Sequence, residues 1–138
     1  RIRARCSVSR CGSLTRTPSK VPVLISIHSF TPVLNGESRE WQMGVLWDKD
    51  EDLKTTFLEG FREAGYYVGD NEPYSGKAPQ DFTIDHHAED IGLPHVGIEI
   101  RQDLINDDEG VAKIAEVMHR VIASMPGRQD LDDQRITA

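Results

Sequence analysis

Apolar positions along the chain fall into short runs divided by regular punctuation. Residues 21–27 form a β-branched apolar run of buried-strand length, which the polar pair His28-Ser29 closes before a loop carrying Pro32 and Asn35-Gly36. Residues 43–47 predict a second strand. Asp48 is then placed to cap a helix, with Glu51 three residues on in capping-box register. Leu53, Phe57, Leu58 and Phe61 supply that helix with one apolar face, and Gly65 ends it. Residues 66–68 resume a strand. From 69 to 94 the chain is loop-like, with Pro73, Gly76, Pro79, Gly92 and Pro94, and only a short strand is expected at 82–84. A connection of this length in a compact domain is usually functional or disordered.

The run from His95 to Arg101 alternates. Val96, Ile98 and Ile100 share one face of a strand, while His95, Gly97, Glu99 and Arg101 share the other. Asp107 or Asp108 opens a last helix, with Val111, Ile114, Ala115, Met118, Val121 and Ile122 at helical spacing and Pro126-Gly127 closing it. Strands alternating with helices argue for an α/β sheet with helices on its faces. About four strands with only two good helices leave one face poorly covered, the expectation for a domain cut in the middle.

Charge changes this picture at the N-terminus. Six of the 16 basic residues lie within residues 1–20, which hold no acid, so the remainder sets 10 basic residues against 23 acidic ones. Such an acidic body is poorly suited to nucleic acid, because phosphate contacts need clustered Lys and Arg. The Arg- and Ser-rich leader has the composition of a mitochondrial-type transit peptide or of a partial or shifted reading frame, and it is excluded from the fold. The expected organisation is a leader at 1–20, a domain at 21–125 and a fraying tail at 126–138. A cytoplasmic location is expected, or a mitochondrial one if the leader is genuine. Both cysteines, Cys6 and Cys11, lie in the leader, so no disulfide framework is expected. No stretch approaches the roughly 20 apolar residues of a spanning helix, so no integral membrane role is expected.

Two positions stand out chemically. His28 closes a buried run, and ligands of open α/β sheets gather beyond the carboxyl ends of strands. It reads either as a zinc-binding imidazole or as a histidine hydrogen-bonded at a strand end. Glu99 interrupts an apolar strand, where a carboxylate is costly unless paired, hydrogen-bonded or near a metal. It suits a general base, although an ion pair with Arg101 on the same face is the commoner structural use of such a residue. His86 and His87 lie in the long loop with Asp81, Asp85 and Glu89, without a recognised ligand spacing. His119 falls within a helix and reads as a surface residue. The segment from Gly69 to Tyr74 could hold a polar substrate or simply make an Asx-stabilised turn.

Three stretches, SIHSFTPVLNG at 26–36, VGDNEPYSG at 68–76 and DFTIDHHAEDIGLPHVGIEIRQDLI at 81–105, together resemble the second half of the N-formylglutamate amidohydrolase family. That family is similar in turn to the zinc carboxypeptidases. The resemblance implies a mixed sheet flanked by helices, with a metal-binding His in a His-Ser-aromatic motif, here His28-Ser29-Phe30. It also implies a catalytic glutamate in a Glu-aliphatic-Arg strand, here Glu99-Ile100-Arg101. The implied activity is zinc-assisted hydrolysis of an N-formyl or N-acyl amino acid, a small-molecule substrate. Glu99 would act as base, Arg101 would steady the intermediate or orient Glu99, and Asn71, Tyr74 and His87 would face the substrate. The remaining zinc ligands are expected from an N-terminal half that residues 1–20 do not resemble, so this chain alone is expected to bind zinc weakly.

Overall fold

The computed structural model describes residues 22–77 and 93–125. They form a four-stranded mixed sheet with two helices on one of its faces. In chain order the strands are β1 (Leu24–Phe30), a small hairpin of β2 (Val33–Leu34) and β3 (Glu37–Ser38), β4 (Met43–Leu46), β5 (Val68–Asp70) and β6 (His95–Arg101). Helix α1 (Glu51–Glu63) joins β4 to β5. A 3-10 turn (Gln102–Ile105) leads from β6 into α2 (Asp108–Ser124). The spatial order is β1-β6-β4-β5, with β1 parallel to β6, β6 antiparallel to β4, and β4 parallel to β5. Among the described residues no helix is long and apolar enough to cross a membrane.

The alternation expected in β6 is realised with its predicted bounds. Val96, Ile98 and Ile100 point to the helical side, where they join Met43, Val45 and Val68 from the sheet. Phe57, Leu58 and Phe61 of α1 and Ile114, Val117, Met118 and Val121 of α2 complete that apolar cluster. Phe57 and Phe61 are fully buried, with ring centroids 5.7 Å apart. Truncating either to Ala is the kind of change that typically costs about 3–5 kcal/mol.

Several boundaries differ from the sequence reading, each for a local reason. The first strand does not stop at His28 but continues to Phe30, because the parallel ladder with β6 carries on through Phe30 opposite Arg101. Asn35 and Gly36 are the two central residues of a tight hairpin turn, with φ of 53° and 84°, rather than an open loop. Asn-Gly suits such a turn because both positions need positive φ. Helix α1 begins at Glu51 with Asp50, not Asp48, at its cap. The Asp50 side chain makes no cap bond; it accepts the backbone N–H of His95 at 3.0 Å, tying the helix start to the first residue of β6. The third sheet strand lies at 68–70 instead of 66–68, since Tyr67 stacks on Trp41 at 4.7 Å and its N–H goes to the Gln42 side chain.

In α2 the buried stripe includes Val117, whereas Val111 and Ala115 face solvent. Asp107 caps this helix as expected, its side chain accepting from Gly110 N at 2.7 Å. The short strand expected at 82–84 lies outside the described residues.

Gly44 marks a close approach that matters for the site. Its missing side chain leaves room for the backbone of Glu72, whose carbonyl oxygen and carbon a Cβ at Gly44 would meet. Gly69 next to it is likewise covered, with the Glu72 carbonyl oxygen 2.7 Å from where its Cβ would stand. Gly44→Ala is therefore expected to lower stability in denaturant unfolding by about 1–3 kcal/mol, the usual cost of overpacking. An unchanged midpoint would contradict the close seating of the loop on β4.

Candidate active site

The face of the sheet opposite the helices is polar, carrying Ser26, His28 and Glu99. On β1 and β6 the parallel register sets Ser26 beside Gly97, His28 beside Glu99 and Phe30 beside Arg101. On the other side of β6, Glu99 is paired with Gly44, and Gly44 with Gly69. One row, His28, Glu99, Gly44, Gly69, thus crosses all four strands. Strands lie about 4.8 Å apart, so His28 and Glu99 project as immediate neighbours.

Each residue of that row is held by something specific. Glu99 is 7% exposed, and so is Ser26. A Cβ at Gly44 would stand 3.3 Å from that of Glu99, so the glycine half of the row is a low shelf. The segment after β5 folds over this shelf, laying the Glu72 backbone on Gly44 and Gly69 beside Glu99. His28 is exposed on the other side, and its Nε2 shares a hydrogen bond of 2.7 Å with the Ser26 hydroxyl. That contact orients the ring, as an imidazole used in chemistry requires.

Asn71 and Tyr74, expected to face substrate, have measurable structural duties. Asn71 sits at φ 54° and its side-chain oxygen accepts two backbone N–H groups, Trp47 and Gly76, each at 2.9 Å. Its own N–H donates to Val45 O. It therefore staples the covering segment to the end of β4. The Tyr74 hydroxyl accepts from Arg39 Nη1 at 2.8 Å. His87 lies outside the described residues.

Arg101 shares the face of Glu99, yet its guanidinium is turned to the end of the sheet. Nε and Nη2 donate to the two carboxylate oxygens of Asp103 at 2.7 and 3.0 Å. Nη1 donates to the carbonyls of Arg39, Glu40 and Trp41 at 3.0, 3.3 and 3.2 Å. The fork thus clamps residues 39–41 to the end of β6. The hydrogen bond from Arg101 holds the Asp103 carboxyl below the usual carboxylate range, and the same bond raises the pKa of Arg101.

Two residues on this side of the molecule escaped the sequence reading. Asp50 was passed over because its partner, His95, is remote in sequence. Arg39 sits in the segment between β3 and β4 and carries no spacing signal. Its guanidinium lies near the rings of Phe30 and Tyr74, 5.5 and 5.2 Å from their centroids.

A catalytic zinc ordinarily takes three protein ligands. Among the described residues no group of three or more His, Cys, Asp or Glu converges as a metal site. These residues offer one imidazole beside one buried carboxylate, an incomplete donor set for zinc.

The strands thus set a buried carboxylate, Glu99, beside an imidazole oriented by Ser26. A model of the N-formylglutamate amidohydrolase family matches residues 12–106, and the chain belongs to that family. Among solved structures, the chain is similar to the crystal structure of gene product Atu2144 from Agrobacterium tumefaciens. The two share 40% sequence identity and superpose with a TM-score of 0.64 over 74% of this chain. The match spans 42% of the length of that protein. Comparison with curated proteins returned no match.

The Asp103–Arg101 pair predicts an acid-side effect on stability. A carboxyl whose folded pKa is depressed stabilises fully above its unfolded value, about 3.9, and that stabilisation is lost as pH falls through the lower folded value. Asp103→Asn should therefore lower the thermal midpoint near pH 7, and the gap from wild type should close below about pH 4. With the Asp103 side chain 41% exposed, the effect at neutral pH should be at most about 1 kcal/mol. A gap that persists at low pH would mean that Asp103 acts by packing rather than by charge.

Proposed function

We propose that the chain forms part of a zinc-dependent amidohydrolase that cleaves the carbon–nitrogen bond of an N-formyl or N-acyl amino acid such as N-formylglutamate. The observation that carries this reading is the pairing of His28 with Glu99 on the face of the sheet opposite the helices. Family membership supports the same reaction class. The proposal extends to a zinc-carboxypeptidase-like fold, in which a helix-covered mixed sheet presents its chemistry from strand positions.

In this reading His28 is one ligand of the zinc, and the other ligands come from outside the described residues. Zinc, when bound, supplies Lewis acidity toward the acyl carbonyl. Glu99 takes a proton from the attacking water as the new carbon–oxygen bond forms. It returns that proton to the amine nitrogen as the carbon–nitrogen bond breaks, so that formate and the free amino acid leave. Burial of Glu99 keeps bulk water from competing for the proton. Ser26 holds the imidazole of His28 in one orientation. Arg101 is a positioning residue that fixes the segment 39–41 beside the site, and His87 and Asn71 complete the substrate side.

The test is hydrolysis of N-formyl-L-glutamate with zinc supplied. Glu99→Gln keeps the shape of the side chain and removes the base, and it should lower kcat by roughly 100- to 10,000-fold while leaving KM within a few-fold. Activity retained in the variant would reduce Glu99 to a structural carboxylate.

A further inference from the structure

Among the described residues Arg39 has no acidic partner. The ion pairs of those residues involve Lys49, His95, Arg101 and Lys113, and none involves Arg39, although the chain carries 23 acidic residues. Nor is it a freely solvated surface cation. The residue is half-buried, and two aromatic rings hold its guanidinium. Its main chain is fixed at both ends, with N–H donating to Pro32 O at 2.8 Å and C=O accepting from Arg101 Nη1 at 3.0 Å. Of the five N–H donors of a guanidinium, one goes to the Tyr74 hydroxyl.

Its position is set by the two sides of the site already described. Phe30 lies two residues beyond His28 on the same face of β1. Tyr74 lies two residues beyond Glu72, whose backbone lies on Gly44 and Gly69 beside Glu99. A planar, pre-oriented fork with unused donors is the group best matched to a carboxylate, which it can engage through two parallel bonds. The contacts with the two rings and the bond to the Tyr74 hydroxyl restrict the rotamers of Arg39 before a ligand arrives, so less is lost on binding.

We propose that Arg39 recognises a carboxylate of the N-acyl amino acid, with Tyr74 and Phe30 as the residues that aim it. This rests on the reading of the site as an amidohydrolase centre. It adds the residue that selects acidic over neutral substrates. Arg39 thus determines specificity and takes no part in the proton transfers assigned to Glu99.

The experiment reads binding and hydrolysis separately. Glutarate, a dicarboxylate without a scissile bond, is titrated calorimetrically into wild type, Arg39→Gln and Arg39→Lys, with circular dichroism checking that each is folded. Arg39→Gln should weaken glutarate binding by roughly 10- to 100-fold, the scale of a charge-assisted bond, and Arg39→Lys should recover part of it. In hydrolysis, KM for N-formylglutamate should rise by a similar factor with kcat largely kept. N-formylglutamine and the α-amide of N-formylglutamate show which carboxylate is held, since Arg39→Gln should spare only the analogue that lacks it. Equal glutarate affinity in folded wild type and Arg39→Gln overturns the proposal, as does absence of glutarate binding by wild type. Equal losses on charged and neutral substrates also overturn it, because they indicate a structural role. Arg39-dependent glutarate binding in a protein that hydrolyses no N-formyl amino acid keeps the anion site and rejects the hydrolase reading instead.

Discussion

The parallel pairing of β1 with β6 is the constraint on which everything else depends. Side chains alternate along a strand, so a slip of one residue would turn His28 toward the helices or Glu99 away from it. The register is pinned from both sides. On the helical face, Val96, Ile98 and Ile100 are among the most buried residues, and any slip would place Gly97 or Glu99 in the apolar cluster. At the end of the ladder, Arg101 spends its fork on Asp103 and on three carbonyls of the incoming segment. Packing on one face therefore fixes chemistry on the other.

That division of labour explains the unusual economy of the polar face. Burial of a carboxylate is unfavourable without compensation, and a stability-driven sheet would place an apolar residue at 99. Here the position is flanked by an imidazole on one strand and by two glycines on the other side. The glycines admit the Glu72 backbone in place of side chains, so the wall of the site is main chain, fixed by the Asn71 staple to Trp47 and Gly76. Local consistency breaks at the candidate site residues, as is common where natural proteins carry function.

Much of this was legible in the sequence where burial is periodic. The bounds of β6, the buried face of α1 and the cap of α2 at Asp107 follow from alternation, helical spacing and capping chemistry that act within a few residues. The elements that were displaced depend on remote partners. β1 runs past His28 only because β6 pairs with it, and Asp50 leaves its capping duty for His95, 45 residues away. In α2 the spacing allowed several stripes, and packing against α1 selected the one containing Val117. The two central site residues, His28 and Glu99, could be marked from their positions, but their adjacency needed the strand order. Arg39 carried no local signal, because the rings that hold it come from β1 and from the segment after β5.

Whether His28 and Glu99 act together as one centre is read from a double-mutant cycle on N-formylglutamate hydrolysis. His28→Asn, Glu99→Gln and the double variant would each be measured for kcat/KM with zinc supplied. Residues that work as a unit show strongly non-additive losses, so the double variant is expected to be little worse than the more damaged single one. Losses that simply multiply would mean that the two side chains contribute independently, and the account of a joint site would be wrong.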